Sequence, residues 1–162
     1  MAITLEQWIP ASLELLRRCN TPEMTAHLGG PESEEKLLAR HDRYLGFWEA
    51  EQQSAWPYRI VRDGEDVGSL SYWRLGPDAF EIGWAVPTAN QGQGIARAGV
   101  TAALADMRAR GHRGEVHATP SVENLASNAL ARSLGFTLEK VEEIEYPPGN
   151  LMTANDWVLR LL

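Results

Sequence analysis

One stretch, residues 80–97, leaves few folds open to this chain: Phe-Glu-Ile-Gly-Trp-Ala-Val-Pro-Thr-Ala-Asn-Gln-Gly-Gln-Gly-Ile-Ala-Arg. Residues 80–86 are aromatic, β-branched or small, as a strand requires, and Pro87 removes an amide donor and ends the run. Asn90-Gln91-Gly92-Gln93-Gly94 reads as a turn that opens straight into a helix. Along that helix Ile95, Ala98, Gly99, Ala102, Ala105 and Ala109 recur at helical spacing, a small-residue face suited to close approach on a sheet, with Arg97, Thr101 and Arg108 on the polar side. A strand, a glycine turn and a helix N-terminus bring several unpaired N–H groups and the positive end of the helix dipole to one point, which in physical terms is a phosphate site. The glycines let the backbone approach closely and accept positive φ. No Lys-Ser or Lys-Thr follows them, which argues against a nucleotide-triphosphate loop. No full Gly-x-Gly-x-x-Gly with a later acidic residue is present either, which argues against a dinucleotide fold.

The rest of the chain reads as support for this junction. Ile3 to Trp8 predicts a first strand, ended by Pro10, and residues 11–18 a short amphipathic helix. Asn20-Thr-Pro-Glu-Met24 has the form of a cap with proline early in the next turn, broken by Gly29-Gly-Pro31. A longer helix begins at Ser33-Glu-Glu, with Leu37, Leu38, His41, Tyr44, Leu45 and Trp48 on or near one face. Residues 56–61 and 67–73 are strands joined by Asp63-Gly64, a strong hairpin signal. After the signature helix, residues 115–119 predict a strand that must lie beside the 80–86 strand, because the helix crosses over between them. A last helix follows, with Ser121 or Asn124 as cap, Leu125, Ala129, Leu130 and Leu134 as its apolar stripe and Gly135 as its stop. Strands at 137–145 and 157–162 close the chain. The whole is one mixed α/β domain with one sheet, residues 1–162.

Composition narrows the function. The 162 residues suffice for one domain with a real core, and no apolar run approaches a membrane span. The N-terminus lacks the pattern of a secretory signal. The single cysteine, Cys19, fits a reducing compartment and reads as a structural thiol near a helix end. A cytoplasmic protein is the expectation. A net charge of -7 argues against non-specific nucleic-acid binding and suits a cationic partner, although acidity also serves solubility. His27, His41, His112 and His117 have no metal-ligand spacing, so no metal is expected.

Gln91-x-x-Gly94-x-Ala96 resembles the pyrophosphate signature of the GNAT superfamily of N-acyltransferases: Gln or Arg, two residues, Gly, one residue, then Gly or Ala. Asn124-Leu-Ala-Ser127, followed by Leu134-Gly135-Phe136, resembles that family's second cofactor-side helix, most closely in the branch that includes the ribosomal-protein N-terminal acetyltransferases. The likeness is good over roughly residues 69–136. It implies a mixed, mostly antiparallel sheet flanked by helices, with splayed fourth and fifth strands. It also implies acetyl-CoA as co-substrate, an amine acceptor that is either a protein N-terminus or a small molecule, and a monomer or homodimer. The family's N-terminal helices wall the acceptor site.

Acyl transfer from a thioester to an amine needs a held donor, a neutral amine, a hydrogen bond to the developing oxyanion and a proton for the leaving thiolate. The amides of Gln91, Gly92, Gln93, Gly94, Ile95 and Ala96 are the candidates for the pyrophosphate, with Arg97 adding charge. Glu81 is the candidate base: turned into a cleft, its pKa rises by burial, whereas turned to the other face it meets solvent. The resemblance points to a backbone N–H near Ala85 or Val86 for the oxyanion, on a bulge in the fourth strand, and to Asn124 for the pantetheine arm. The family's usual tyrosine has no counterpart in Ala129-Leu-Ala-Arg132. Ser127 can donate to sulfur or to the arm, or can serve only the helix cap. Of Trp48, Trp56, Tyr58, Trp73 and Trp84, most belong to the core and one or two to an acceptor pocket. The leading expectation is an acetyl-CoA-dependent N-acetyltransferase working by direct attack in a ternary complex. Its rivals are the same fold with another acyl-CoA, and a catalytically silent CoA-binding module.

Overall fold

The computed structural model describes residues 2–162. Seven strands form one sheet in the order β1-β2-β3-β4-β5-β7-β6. They are β1 (Ile3–Gln7), β2 (Ala55–Arg62), β3 (Glu65–Gly76), β4 (Ala79–Ala85), β5 (Gly114–Ala118), β6 (Thr137–Glu145) and β7 (Leu151–Leu161). The helices are α1 (Leu13–Cys19), α2 (Glu34–Glu49), α3 (Ile95–Ala109) and α4 (Leu125–Ser133). β1 to β4 pair antiparallel in succession, and β4 and β5 form the one parallel pair among the described residues.

Local chemistry sets most of these bounds. Asp63 and Gly64 both take positive φ, 52° and 77°, the geometry of a tight hairpin turn whose twist matches the flanking strands. Ser33 caps α2 by accepting from the Lys36 amide. The cap-and-proline signal at residues 20–24 does not produce an α-helix. The chain turns there and makes only a 3-10 segment at Ala26–Leu28, because Asn20 spends its side chain across the loop on both backbone groups of Glu32, at 2.9 and 2.8 Å, instead of capping. Gly29 and Gly30, at φ 84° and 95°, then end the segment.

α3 packs on the face that carries Ile60, Leu70, Tyr72, Phe80 and Ile82, and it does so through Ile95, Gly99, Val100, Ala103, Leu104 and Met107. This corrects the alanine-rich face read from spacing: Ala105 and Ala109 are exposed and Ala98 and Ala102 only half-buried. Area explains the difference. Burying Val, Leu or Met is worth roughly 1.5–3 kcal/mol each, which outweighs any preference for alanine at the contact. Gly99 is a true close approach, since a Cβ there would lie 2.7 Å from Ile60 Cδ1. α4 is also corrected, though not in favour of larger side chains: Leu125 and Ala129 are exposed, Ala131 is buried, and Leu130 and Leu134 pack against the core. β7 also starts six residues before the Trp157 expected from the sequence.

α1 and α2 lie on the opposite face, where Tyr44 hydrogen-bonds Ser71, and their own core is Trp8, Leu15, Leu16 and Leu37. Cys19 packs against that cluster, and burial raises its thiol to about 11, as expected of a structural thiol.

One polar tie crosses the main core. Asp106 Oδ2 accepts from Tyr58 at 2.6 Å, Tyr72 at 2.7 Å and Arg110 at 3.0 Å. Burial alone would raise this carboxyl, but the two hydroxyls and the guanidinium hold it below its ordinary value. Such a group adds stability above about pH 4 and loses it as pH falls through the folded value. Asp106→Ala strands the Tyr72 hydroxyl and leaves Tyr58 only the bond it accepts from Arg110 at 3.2 Å, each lost bond costing about 1–3 kcal/mol. Urea unfolding at pH 7 should therefore show a loss of about 3 kcal/mol, and the difference from wild type should shrink as the buffer is taken below about pH 4.

Candidate active site

The β4–β5 ladder is short. Ala79, Phe80 and Glu81 pair with Glu115, Val116 and His117, and no rung follows, whereas β4 stays paired to β3 as far as Ala85. From Ile82 onward the two strands fork, and peptide groups of β4 turned toward β5 have no strand partner. The register through Tyr72, Leu70 and Ser69 to Ala85 is unbroken, and the irregularity in the β3–β4 pair lies at Arg74/Gly76. A fork is therefore present near Ala85 and Val86, but a ladder bulge there is not.

At the open end of the fork, β4 leads through Pro87 and a 3-10 segment (Thr88–Asn90) to the glycine turn and α3. Gly92 and Gly94 sit at φ 75° and 76°, and Gly94 is the N-cap, with no side chain capping the helix and no acidic residue in its first turn. The Gln91 amide, one of the candidates, is taken by Thr88 O at 3.2 Å, but among the described residues the amides of residues 92–97 meet no protein acceptor. A Cβ at Gly92 or Gly94 would touch nothing within 4 Å, so these glycines answer to backbone conformation and to open space in front of the amides. That geometry fits a pyrophosphate.

The side chains around the turn brace it. Gln91 Nε2 donates to Val86 O at 2.9 Å, tying the turn to the end of β4. Gln93 Oε1 accepts from Arg62 at 2.6 Å. Arg97 donates to Ser133 at 2.5 Å and links α3 to α4. Ile95 is core, and Ala96 packs against it.

Glu81 lies on the face opposite Phe80 and Ile82, which are buried under α3, so it points to the side bounded by α1 and α2. It is half-buried and accepts a hydrogen bond from Thr119. Burial raises its carboxyl above the ordinary value; His117 pulls it back, while Asp156 and Glu142 push it further up.

His117, one rung across from Glu81, is held at both nitrogens: Nδ1 lies 2.8 Å from Asp156 Oδ1 and Nε2 lies 3.1 Å from Glu115 Oε2. Among the described residues, no group of three or more His, Cys, Asp or Glu could hold a metal ion, so these side chains form a hydrogen-bonded network. Sequence reading missed this set. His117 was weighed only as a metal ligand, and Asp156 falls in a segment not read as strand.

Asn124 caps α4 by accepting from the Ser127 amide at 3.2 Å, and the Ser127 hydroxyl bonds to no protein group among the described residues. The next residue, Asn128, was not singled out from sequence. It donates to Ser121 O and Asn124 O, accepts from Asn155 and Trp157, and so fastens α4 to β7. Of the aromatic candidates, Trp56 and Tyr58 are core, and Trp48 and Trp84 pack against it. Trp73 lines a cleft of about 420 Å³ together with Tyr44, Phe47 and Pro57.

A forked parallel pair with an uncapped, glycine-led helix at its mouth and a half-buried carboxylate on its last rung has the layout of a cofactor-dependent transferase site. The family model described as the acetyltransferase (GNAT) domain matches residues 2–137, and the chain belongs to that family. No curated protein matches it in sequence. Among solved structures, it is similar to an acetyltransferase from Salmonella typhimurium described as modifying the N-terminal serine of ribosomal protein L7/L12. That match has 25% identity and a TM-score of 0.82, covering 100% of this chain and 96% of the other. It is also similar to RimL, the ribosomal L7/L12 alpha-N-protein acetyltransferase, in its apo form, with 26% identity, a TM-score of 0.80 and coverage of 99% and 91%. The microcin C7 self-immunity acetyltransferase MccE, solved with acetyl-CoA and AMP, shares the fold at 20% identity and a TM-score of 0.80, over 98% and 92%. No helix among the described residues is long and apolar enough to cross a membrane.

Proposed function

We propose that this protein is a cytoplasmic, acetyl-CoA-dependent N-acetyltransferase that transfers the acetyl group to a primary amine by direct attack in a ternary complex. The observation that carries the reading is the set of amides at residues 92–97 that lack a partner among the described residues, set at the mouth of the β4–β5 fork with Glu81 on its last rung. The solved relatives that contain coenzyme A or acetyl-CoA support the choice of donor. The two that act on an L7/L12 N-terminus support an N-terminal amine as acceptor over other amines.

When bound, acetyl-CoA supplies an activated thioester carbonyl. The amides of residues 92–97 and the dipole of α3 hold its pyrophosphate. The Asn124 side chain uses its oxygen on the cap and keeps its NH2 group for the pantetheine arm. A backbone N–H near Ala85 or Val86, on the stretch of β4 that β5 leaves, hydrogen-bonds the carbonyl oxygen as it gains charge. Glu81 takes the proton of the incoming ammonium, directly or through water, and its raised pKa suits that task near neutral pH. The Ser127 hydroxyl, without a protein partner among the described residues, donates toward the departing sulfur.

Thermal unfolding tests the donor. Acetyl-CoA at ~100 times its dissociation constant adds about 2.7 kcal/mol, which raises the midpoint of a domain this size by about 5–11 °C. Free-thiol release should then follow on adding a peptide with a free N-terminal serine and be absent with the same peptide acetylated. No shift at millimolar acetyl-CoA would sink the reading.

A further inference from the structure

We propose that His117 is a positioning residue for Glu81: an imidazolium locked between Asp156 and Glu115 whose charge, one rung across the β4–β5 fork, keeps Glu81 ionised at near-neutral pH. The inference rests on the reading of Glu81 as the base.

The geometry of the ring carries it. Both nitrogens face carboxylate oxygens, at 2.8 and 3.1 Å. A neutral imidazole has one N–H and one lone pair, so it can serve only one of these partners and sets its lone pair against the other. Glu115 is also paired with Arg160 at 2.9 Å. Asp156 is 5% exposed, and a buried carboxylate needs a donor. Both ring nitrogens therefore donate, and the ring is a cation. Burial alone would lower the pKa of His117, but Asp156 and then Glu115 more than offset this, and the net shift is upward.

This cation stands in an otherwise acidic setting. Glu81 comes from β4, Glu115 from β5, Asp156 from β7 and Glu142 from β6, and the other cations are Arg160, on Glu115, and Lys140, 3.1 Å from Glu142. Without His117, Glu81 would face Asp156 and Glu142 with the nearest cations, Arg160 and Lys140, committed to Glu115 and Glu142. Its proton would then be held more tightly, and the base would be blocked over more of the working range. The sheet makes the arrangement rigid: parallel pairing fixes His117 against Glu81, and the antiparallel β5–β7 pair sets Val158 opposite His117, with Asp156 two residues earlier on the same face of β7. The same contacts link the site to folding stability. A group whose pKa is raised in the folded state contributes stability fully at low pH, and this is lost as pH rises through the folded value.

The test reads protonation directly. In wild type, the imidazole 15N shifts of His117 should show two protonated nitrogens at pH 7.5; a neutral ring at that pH overturns the proposal without any variant. In His117→Gln, with an unchanged 1H–15N spectrum elsewhere, the titration midpoint of the Glu81 side-chain carboxyl should rise by about 1 pH unit, the low end of the effect of an opposite charge at close range. The acid limb of kcat/KM should rise with it, leaving the alkaline plateau of kcat within about twofold. A carboxyl midpoint that stays put in the folded variant overturns the proposal. Failure of the underlying reading shows elsewhere: an acid limb that survives Glu81→Gln, in which His117 is untouched, removes Glu81 as the base.

Discussion

Glu81→Gln is expected to lower kcat/KM by about 10²–10⁴-fold while leaving the protein folded. That range corresponds to about 3–5 kcal/mol of barrier. Gln keeps the shape and still accepts from Thr119, but it cannot take a proton from an ammonium. The pH dependence gives the sharper reading. Burial raises the Glu81 carboxyl, so the base is protonated and inactive on the acid side of a limb displaced above the ordinary carboxyl value, and activity rises as pH increases through it. In Glu81→Gln that limb should vanish, leaving only what hydroxide or solvent can do. Stability should move the other way. A carboxyl with a raised folded pKa costs the folded state stability above that pKa, so removing its charge should leave the unfolding midpoint at pH 8 equal to or above that of wild type. Equal kcat/KM in the two proteins across pH 5–9 would mean that another group accepts the proton.

The two halves of this site differ in how far the sequence discloses them, and the reason is physical. The proposed phosphate side is local: strand, proline, glycines and helix follow one another, and the amides assigned to it lie within residues 92–97. Asp63-Gly64 and Ser33 were legible for the same reason, since turn and cap chemistry act over two to four residues. The base side is not local. His117 and Asp156 stand 39 residues apart and come together only through the β5–β7 pair. Asp156 was further hidden because the front half of β7, Leu-Met-Thr-Ala-Asn-Asp, puts only Met152, Ala154 and Asp156 on its more buried face and so lacks the apolar run that marks a strand. The direction of Glu81 was undecided because a strand of aromatic and small residues can bury either face. α3 settles it by covering Phe80 and Ile82. The face of α3 was misread because alanine was given the weight of valine, leucine and methionine, although packing follows area; on α4 the error ran the other way, with Leu125 exposed and Ala131 buried.

Gly94 separates the cofactor reading from a merely structural turn, through a pair of substitutions whose effects on stability and binding run in opposite orders. At φ 76°, any side chain at this position is strained, by about 1–2 kcal/mol for alanine and less for aspartate, whose short polar chain tolerates the left-handed region. Aspartate also sets a negative charge at the positive end of α3, worth about 0.3–1 kcal/mol. In the absence of ligand, Gly94→Asp should therefore unfold at a higher temperature than Gly94→Ala. With acetyl-CoA the order should invert. The carboxylate then occupies the field of the same amides that would hold the pyrophosphate and repels it at close range, so Gly94→Asp should bind at least 100-fold more weakly than wild type and Gly94→Ala about 10-fold more weakly. Calorimetric titration of each folded variant with acetyl-CoA reads the two constants. The penalty for Gly94→Asp should shrink as salt is raised, because the repulsion is between charges exposed to solvent. If the turn served packing alone, both variants would bind like wild type and only their stabilities would differ. An inverted order can arise only if an anion is held at the N-terminus of α3, since the more stable of the two helices would then be the poorer site.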